Sequence, residues 1–167
     1  MKQELQIIGR NVLVDFIGHV KDIPAKVDTG ADSSSVWVSN LHVDEHGVLS
    51  FTLFGISSKY YTGEVIKRKA YSVAIVRSSS GHEQIRYKTE MPVRISGRVV
   101  RAGFSLSDRS SNEFPILLGR KTLNKKFLVD VSTREYKKSL PKLKHGLNEE
   151  LAKDPYAFHQ KYHQDQK

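Results

Sequence analysis

Cysteine is absent from this chain. That excludes a disulfide framework, a thiolate nucleophile and any metal site built on sulfur, so stability has to come from packing or association. Long apolar runs are absent as well. The N-terminal stretch Met1-Lys2-Gln3-Glu4-Leu5-Gln6-Ile7-Ile8 has no signal-type apolar segment, and nothing approaches the roughly 18 consecutive apolar residues of a membrane span. A soluble, cytoplasmic protein with no membrane partner is expected. No phosphate-cradling glycine-rich loop is present, so nothing supports direct nucleotide use.

A length of 167 residues suits one domain and a tail. The expected domain covers residues 1–136. From Lys137 onward the composition shifts to Lys, His and Gln with few large apolar residues, which predicts a basic, partly helical or disordered tail over 137–167. Within it, Leu147 to Lys161 has helical character, with Asn148 as its N-cap and Pro155 interrupting it.

The formal charge of +9 and pI near 9.7 favour acidic partners. Lys and Arg are nevertheless scattered, as on an ordinary solvated surface. A nucleic-acid reading would rest on Tyr60, Tyr61, Tyr71 and Tyr87 beside Lys59, Lys67, Arg68, Lys69 and Arg86. Tyr and Lys alternating along a strand more often mark core and surface faces, so no nucleic-acid partner is expected.

Short segments rich in Val, Ile, Tyr and Phe recur, several alternating apolar with polar. They are Asn11 to Phe16, Ile23 to Val27, Val36 to Leu41, Val48 to Phe54, Tyr71 to Val76, Gln84 to Met91, Val93 to Ile95, Arg98 to Ala102, Ile116 to Leu118 and Phe127 to Val131. Turn signals at Phe16 to His19, Asp44 to Gly47, Ser78 to Gly81 and Ser96-Gly97 separate them. The pattern predicts an all-β barrel or sandwich, with one short helix after Gly119-Arg120.

The stretch with most chemical content is Asp28-Thr29-Gly30-Ala31, entered through Ile23-Pro24-Ala25-Lys26-Val27. Asp-Thr-Gly is a sound β-turn in its own right. It also looks like the catalytic turn of an aspartic protease, and it occurs once, whereas two carboxylates must face one water. With no internal repeat, the second would have to come from another copy of the chain. Downstream, Phe114-Pro115-Ile116-Leu117-Leu118-Gly119-Arg120-Lys121-Thr122-Leu123 is an apolar strand ending in Gly-Arg.

Together these two segments resemble the retropepsins, the single-lobed aspartic proteases of retroviral type. The resemblance is sharper to a bacterial retropepsin-like family often labelled ATP-dependent zinc protease. It rests on Ile8-Gly9, Ala25 to Ala31, Phe104 to Arg109 and Pro115 to Arg120 through Phe127-Leu128-Val129-Asp130. That family commonly has Arg after Ala31, where this chain has Asp32.

The resemblance implies an acid-protease barrel acting as a homodimer on a peptide or protein substrate. Asp28, Thr29 and Gly30 would be catalytic, Ala31 and Asp32 would bind substrate, and Leu118, Gly119 and Arg120 would support the site. Across a two-fold axis the Asp28 pair would share one proton, one carboxyl acting as base toward water and the other as acid toward the carbonyl. No cofactor or metal is implied. Thr29 would bond the partner subunit's backbone, and Arg120 would form an ion pair with Asp32, for which a bidentate geometry is suited. A flexible hairpin should cover the substrate, with turns at Asp44 to Gly47, Ser57 to Gly63 or Ser78 to Gly81 as candidates.

Three other readings stay open. The same fold could bind peptides without cutting them. His42-Val43-Asp44-Glu45-His46 fits the His-x-x-Glu-His pattern of zinc metalloproteases, which needs a helix where the flanking residues favour a hairpin. A basic nucleic-acid-binding β domain is the third. His159 and His163 lie one helical turn apart without a trusted ligand set.

Overall fold

Alternation of buried and exposed side chains along the strands dictates a sheet curved around one core. The computed structural model describes residues 4–78, 80–137 and 146–163. Two compact units form, Met1–Tyr136 and Lys137–Lys167. In chain order the first holds β1 (Gln6–Gly9), β2 (Asn11–Phe16), β3 (Val20–Val27), β4 (Ser34–Val43), β5 (Leu49–Leu53), β6 (Val65–Arg68), β7 (Ser72–Arg77), β8 (Glu83–Ile95), β9 (Arg98–Ser107), β10 (Ile116–Leu118), α1 (Arg120–Leu123) and β11 (Phe127–Asp130).

Six of these strands close a ring in the order β10-β3-β2-β8-β9-β4, with β10 bonding β3 on one side and β4 on the other. Closure removes open edges from the centre of the fold. The pairs β3–β10 and β4–β9 are parallel, and the others are antiparallel. Val12, Val14, Ile23, Ala25, Val36, Val93, Phe104 and Ile116 are fully buried within it. The Phe16 ring lies 5.4 Å from that of Phe104. Each Val, Ile or Phe among them contributes on the order of 1.5–3 kcal/mol.

The all-β expectation with a short helix after Gly119 therefore holds, with corrections at element level. Gln84 to Met91 and Val93 to Ile95 are one thirteen-residue strand, β8. Pro92 stays in register opposite Arg101, and its carbonyl accepts the Ile17 N–H at 3.1 Å, so the ladder continues past it. β1 and β6 were not expected as strands. Both are four residues long, too short to set up a period.

β7 and the first half of β8 form a hairpin reaching beyond the ring, with Val73, Ile75 and Ile85 exposed on one face. On the other, Ala74, Val76, Arg86 and Lys88 are half-buried. β1 and β11 pair parallel to each other in a separate two-stranded sheet.

The second unit contains α2 (Leu147–Lys153) and α3 (Pro155–His163). Asn148 lies inside α2, whose N-cap is Gly146. Pro155 opens α3 rather than merely breaking a helix, because at a first helical position its missing N–H costs nothing. The Asp154 carboxylate accepts the Ala157 N–H at 2.9 Å. Among the described residues no helix is long and apolar enough to cross a membrane.

Candidate active site

β3 ends at Val27, and the chain turns through Asp28, Thr29 and Gly30 before β4 begins. The turn is fixed from several sides. The Asp28 N–H donates to Leu118 O at 2.9 Å, extending the β3–β10 ladder by one bond. Asp28 Oδ1 accepts the N–H groups of Gly30 at 3.0 Å and Ala31 at 3.2 Å. Among the described residues nothing bonds Oδ2. Asp28 is half-buried, while Thr29 and Gly30 are exposed. A Cβ on Gly30 would lie 3.2 Å from Asp28 Oδ1, so the small residue lets the amide approach.

Leu118 and Gly119 are buried beneath the turn. A Cβ on Gly119 would sit 2.5 Å from the Ser33 carbonyl and 2.9 Å from Ala31 O, a contact with backbone that cannot swing away. Gly119→Ala should therefore destabilise the fold by about 1–3 kcal/mol, as overpacking does. A lower urea midpoint at unchanged slope reads this. An unchanged midpoint would contradict the close approach of Ser33.

Arg120 donates through Nη1 to Gly30 O at 3.0 Å and Thr29 O at 3.4 Å, and its N–H reaches Ala31 O at 2.8 Å. The expected bidentate pair with Asp32 does not form: Arg120 Nη2 stands 3.8 Å from Asp32 Oδ1, beyond hydrogen-bond length. Asp32 instead bonds Lys121 Nζ at 2.7 Å. That bond, with the charges of Lys121, Arg120 and Lys88, holds the Asp32 carboxyl below its ordinary range. The guanidinium is occupied by turn carbonyls, which leaves the carboxylate to the next residue.

Ser34 and Thr122 were not singled out from the sequence. Their buried hydroxyls lie 2.6 Å apart, and Ser34 Oγ accepts the Gly119 N–H at 3.0 Å, tying the start of β4 to β10 and α1. A Ser-Ser-Ser run at the mouth of a strand was the available signal.

The other predicted constellations separate. His42 lies on β4, while Glu45 and His46 are exposed in a turn whose Asp44 carboxylate accepts the N–H groups of His46 and Val48. The helix that the zinc pattern requires is not formed there. Tyr60 packs against Phe54, and Tyr71 meets Tyr87 edge-on, each half-buried against the core. Of the three candidate turns, Asp44 to Gly47 closes β4–β5, Ser57 to Gly63 lies between β5 and β6, and Ser78 to Gly81, with residue 79 outside the described set, closes β7–β8. His159 and His163 stack at 5.5 Å on α3.

One cavity reaches the turn, and another is lined by residues of the strand that leads into it and of the β9–β10 connection and β10. One, of about 610 Å³, runs from Thr29 and Asp32 past Arg120 and Leu123 to Leu128 and Val129 of β11. The other, of about 310 Å³, is lined by Lys26, Arg109, Asn112, Glu113, Phe114 and Leu117.

Comparison with known proteins agrees with this arrangement. A family model described as RimB-like, Retropepsin-like aspartic endopeptidase RimB, matches residues 7–139. A probable alpha-L-glutamate ligase of Desulfotalea psychrophila is 27% identical over 137 residues, covering 78% of this chain and 29% of that protein. Another so named, from Shewanella pealeana, is 28% identical over 116 residues, covering 68% and 25%. The chain thus spans less than a third of the length of these curated relatives. Among solved structures, a protein of unknown function from Legionella pneumophila subsp. pneumophila str. Philadelphia 1 matches with a TM-score of 0.60 at 22% identity, covering 78% of this chain and 96% of that one. That likeness is one of fold.

Proposed function

Since this chain belongs to the RimB-like family of retropepsin-like proteins, we propose that it hydrolyses a peptide amide with two Asp28 side chains, one from each subunit of a homodimer. The observation that carries this reading is the Asp28 turn itself. Two backbone amides hold Oδ1, while Oδ2 accepts no bond among the described residues, an arrangement suited to a carboxyl that must handle a proton.

In the reaction, one Asp28 takes a proton from a water whose oxygen attacks the amide carbon, while the partner subunit's Asp28 donates its proton to the carbonyl oxygen. The resulting tetrahedral diol collapses as a proton reaches the amide nitrogen and the C–N bond breaks, releasing an acid and an amine. Both carboxyls end with one proton between them, as they began.

Support for a second copy comes from the small sheet. Ile7 and Leu128 are register partners on β1 and β11, exposed by 67% and 53%, and Val131 beyond them by 70%. A two-stranded ribbon is marginal alone, and a second copy paired on it would cover these side chains. The 610 Å³ cavity joins this sheet to Thr29, so a partner seated there comes within reach of the turn. The β7–β8 hairpin is our choice for the substrate cover, because its half-buried face carries Lys88 and Arg86, whose charges are felt at Asp32 and Arg109.

For substrate class we take α-glutamyl peptides. Relatives that contain a segment like this chain are named probable alpha-L-glutamate ligases, and the basic charge suits an acidic peptide. The test is hydrolysis of an α-linked glutamyl peptide with a transition-state-type aspartic-protease inhibitor and a chelator in parallel. The inhibitor should abolish cleavage and the chelator leave it unchanged. Loss to the chelator alone would overturn the proposal, and binding without cleavage under any condition would favour a peptide-binding module.

A further inference from the structure

Three strands present their side chains together beside the Asp28 turn. Leu117 on β10 is in register with Lys26 on β3 and with Ser35 on β4, so the three share one face. Asp28 follows Lys26 by two residues, the spacing that returns a chain to the same face. Arg109, in the segment joining β9 to β10, lies over this row: its Nη1 donates to Ser35 Oγ and its Nε to Phe114 O, both at 3.2 Å. The result is the 310 Å³ cavity lined by Lys26, Arg109, Asn112, Glu113, Phe114 and Leu117, at the small end of the range for ligand pockets.

The charges around this cavity are unbalanced. Arg109 is half-buried, yet among the described residues it pairs with no carboxylate. Burial, and then the positive charge of Arg86 on β8, lower its pKa from the ordinary value. Arg86 is itself half-buried, and among the described residues its guanidinium bonds only the neutral Gln84 side-chain oxygen, at 2.9 and 3.2 Å. Lys26, which is exposed, lines the same cavity. Glu113, the one acid lining the cavity, is exposed and forms an ion pair with neither Lys26 nor Arg109. Holding like-charged cations together with partial desolvation costs stability unless an anion joins them. Arg offers a planar fork matched to a carboxylate.

We propose that this pocket is the specificity site of the enzyme: Arg109, with Lys26 and Arg86 beside it, binds the side-chain carboxylate of a glutamyl residue next to the amide that is cut. This rests on the hydrolase reading above, and it adds the residues that choose the substrate. Phe114 and Leu117 cover the methylene stem while the cations take its end.

The test separates the two claims by measuring binding without turnover. Full-length Asp28→Asn protein is titrated with a fluorescently labelled α-linked tetraglutamate and with the matching tetraglutamine, and the same peptides are offered to the wild type for cleavage. Arg109→Gln, Arg86→Gln and Lys26→Gln are each added to both backgrounds. The last two alter side chains without buried partners, so they stay informative if Arg109→Gln impairs folding.

The expected result is binding of tetraglutamate but not tetraglutamine, weakened about tenfold or more by Arg109→Gln, as for loss of a hydrogen bond to a charged group. Smaller losses follow for the other two. Equal binding of both peptides, or binding indifferent to all three substitutions, would overturn the pocket assignment even if the wild type cleaves glutamyl peptides. Charge-selective binding that depends on Arg109, in a wild type that never cleaves, would uphold the pocket and overturn the hydrolase reading.

Discussion

Asp28→Asn should lower the proposed amide hydrolysis by about 10³-fold or more, while solution mass and unfolding midpoint stay at wild-type values. The second half of this expectation is what gives the first its meaning. Asn is nearly isosteric, and its side-chain oxygen still accepts the N–H groups of Gly30 and Ala31 that Oδ1 accepts now. The turn therefore keeps its shape. What is lost is the other oxygen, replaced by an amide nitrogen that cannot take a proton from water. In a symmetric dimer the change removes base and acid together, since each role is filled by the same residue of one subunit or the other. Steady-state cleavage of a glutamyl peptide, with calorimetry or urea unfolding on the same samples, measures both halves. A variant that keeps a tenth of wild-type activity would exclude Asp28 from the chemistry. One that loses activity only by unfolding would leave its role undecided between chemistry and structure, and for that outcome Asp28→Glu, which restores a carboxyl at the wrong reach, separates the two.

The parts of this fold legible in the sequence are those whose physics is local. The Asp28 to Ala31 turn and the run from Ile116 to Arg120 were each readable as a contiguous motif, their pairing came from the resemblance to retropepsins, and the structure brings them together through the Asp28 N–H and Leu118 O. Strand β2 was readable to its ends because Val12, Val14 and Phe16 alternate cleanly. What was not legible depends on registration between distant strands. No spacing rule could seat Ser34 beside Thr122, or Arg109 over Ser35, because those contacts exist only once β4, β9 and β10 lie side by side. The ion pair of Arg120 with Asp32 forms, at 3.8 Å, but without the bidentate geometry, for a related reason. The hydrogen bond to Asp32 falls to Lys121 because the Arg120 guanidinium is engaged by the Thr29 and Gly30 carbonyls.

Replacing Ile7 and Leu128 together by Lys should convert the proposed dimer into a monomer near 19.0 kDa and remove the proposed hydrolysis with it. The two side chains face each other across β1 and β11, and both are more than half exposed. Covering each in an interface would contribute on the order of 1.5–3 kcal/mol, and four such side chains meet in a two-fold assembly. Introducing four ammonium groups there removes that contribution and adds like-charge repulsion, enough to shift dissociation by several orders of magnitude. Neither substitution touches the closed ring, so the monomer should stay folded. A complementary measurement uses no new surface: mixing wild type with an equal amount of Asp28→Asn and allowing exchange leaves only about a quarter of dimers with two native subunits. If a site needs one Asp28 from each, activity falls below the half expected from dilution, because mixed dimers are inactive. Activity that stays at one half after exchange, or a charged-face variant that cuts as a monomer, would mean that one chain carries a whole active site, and the Asp28 turn alone would then have to be matched with a second acid within the same chain.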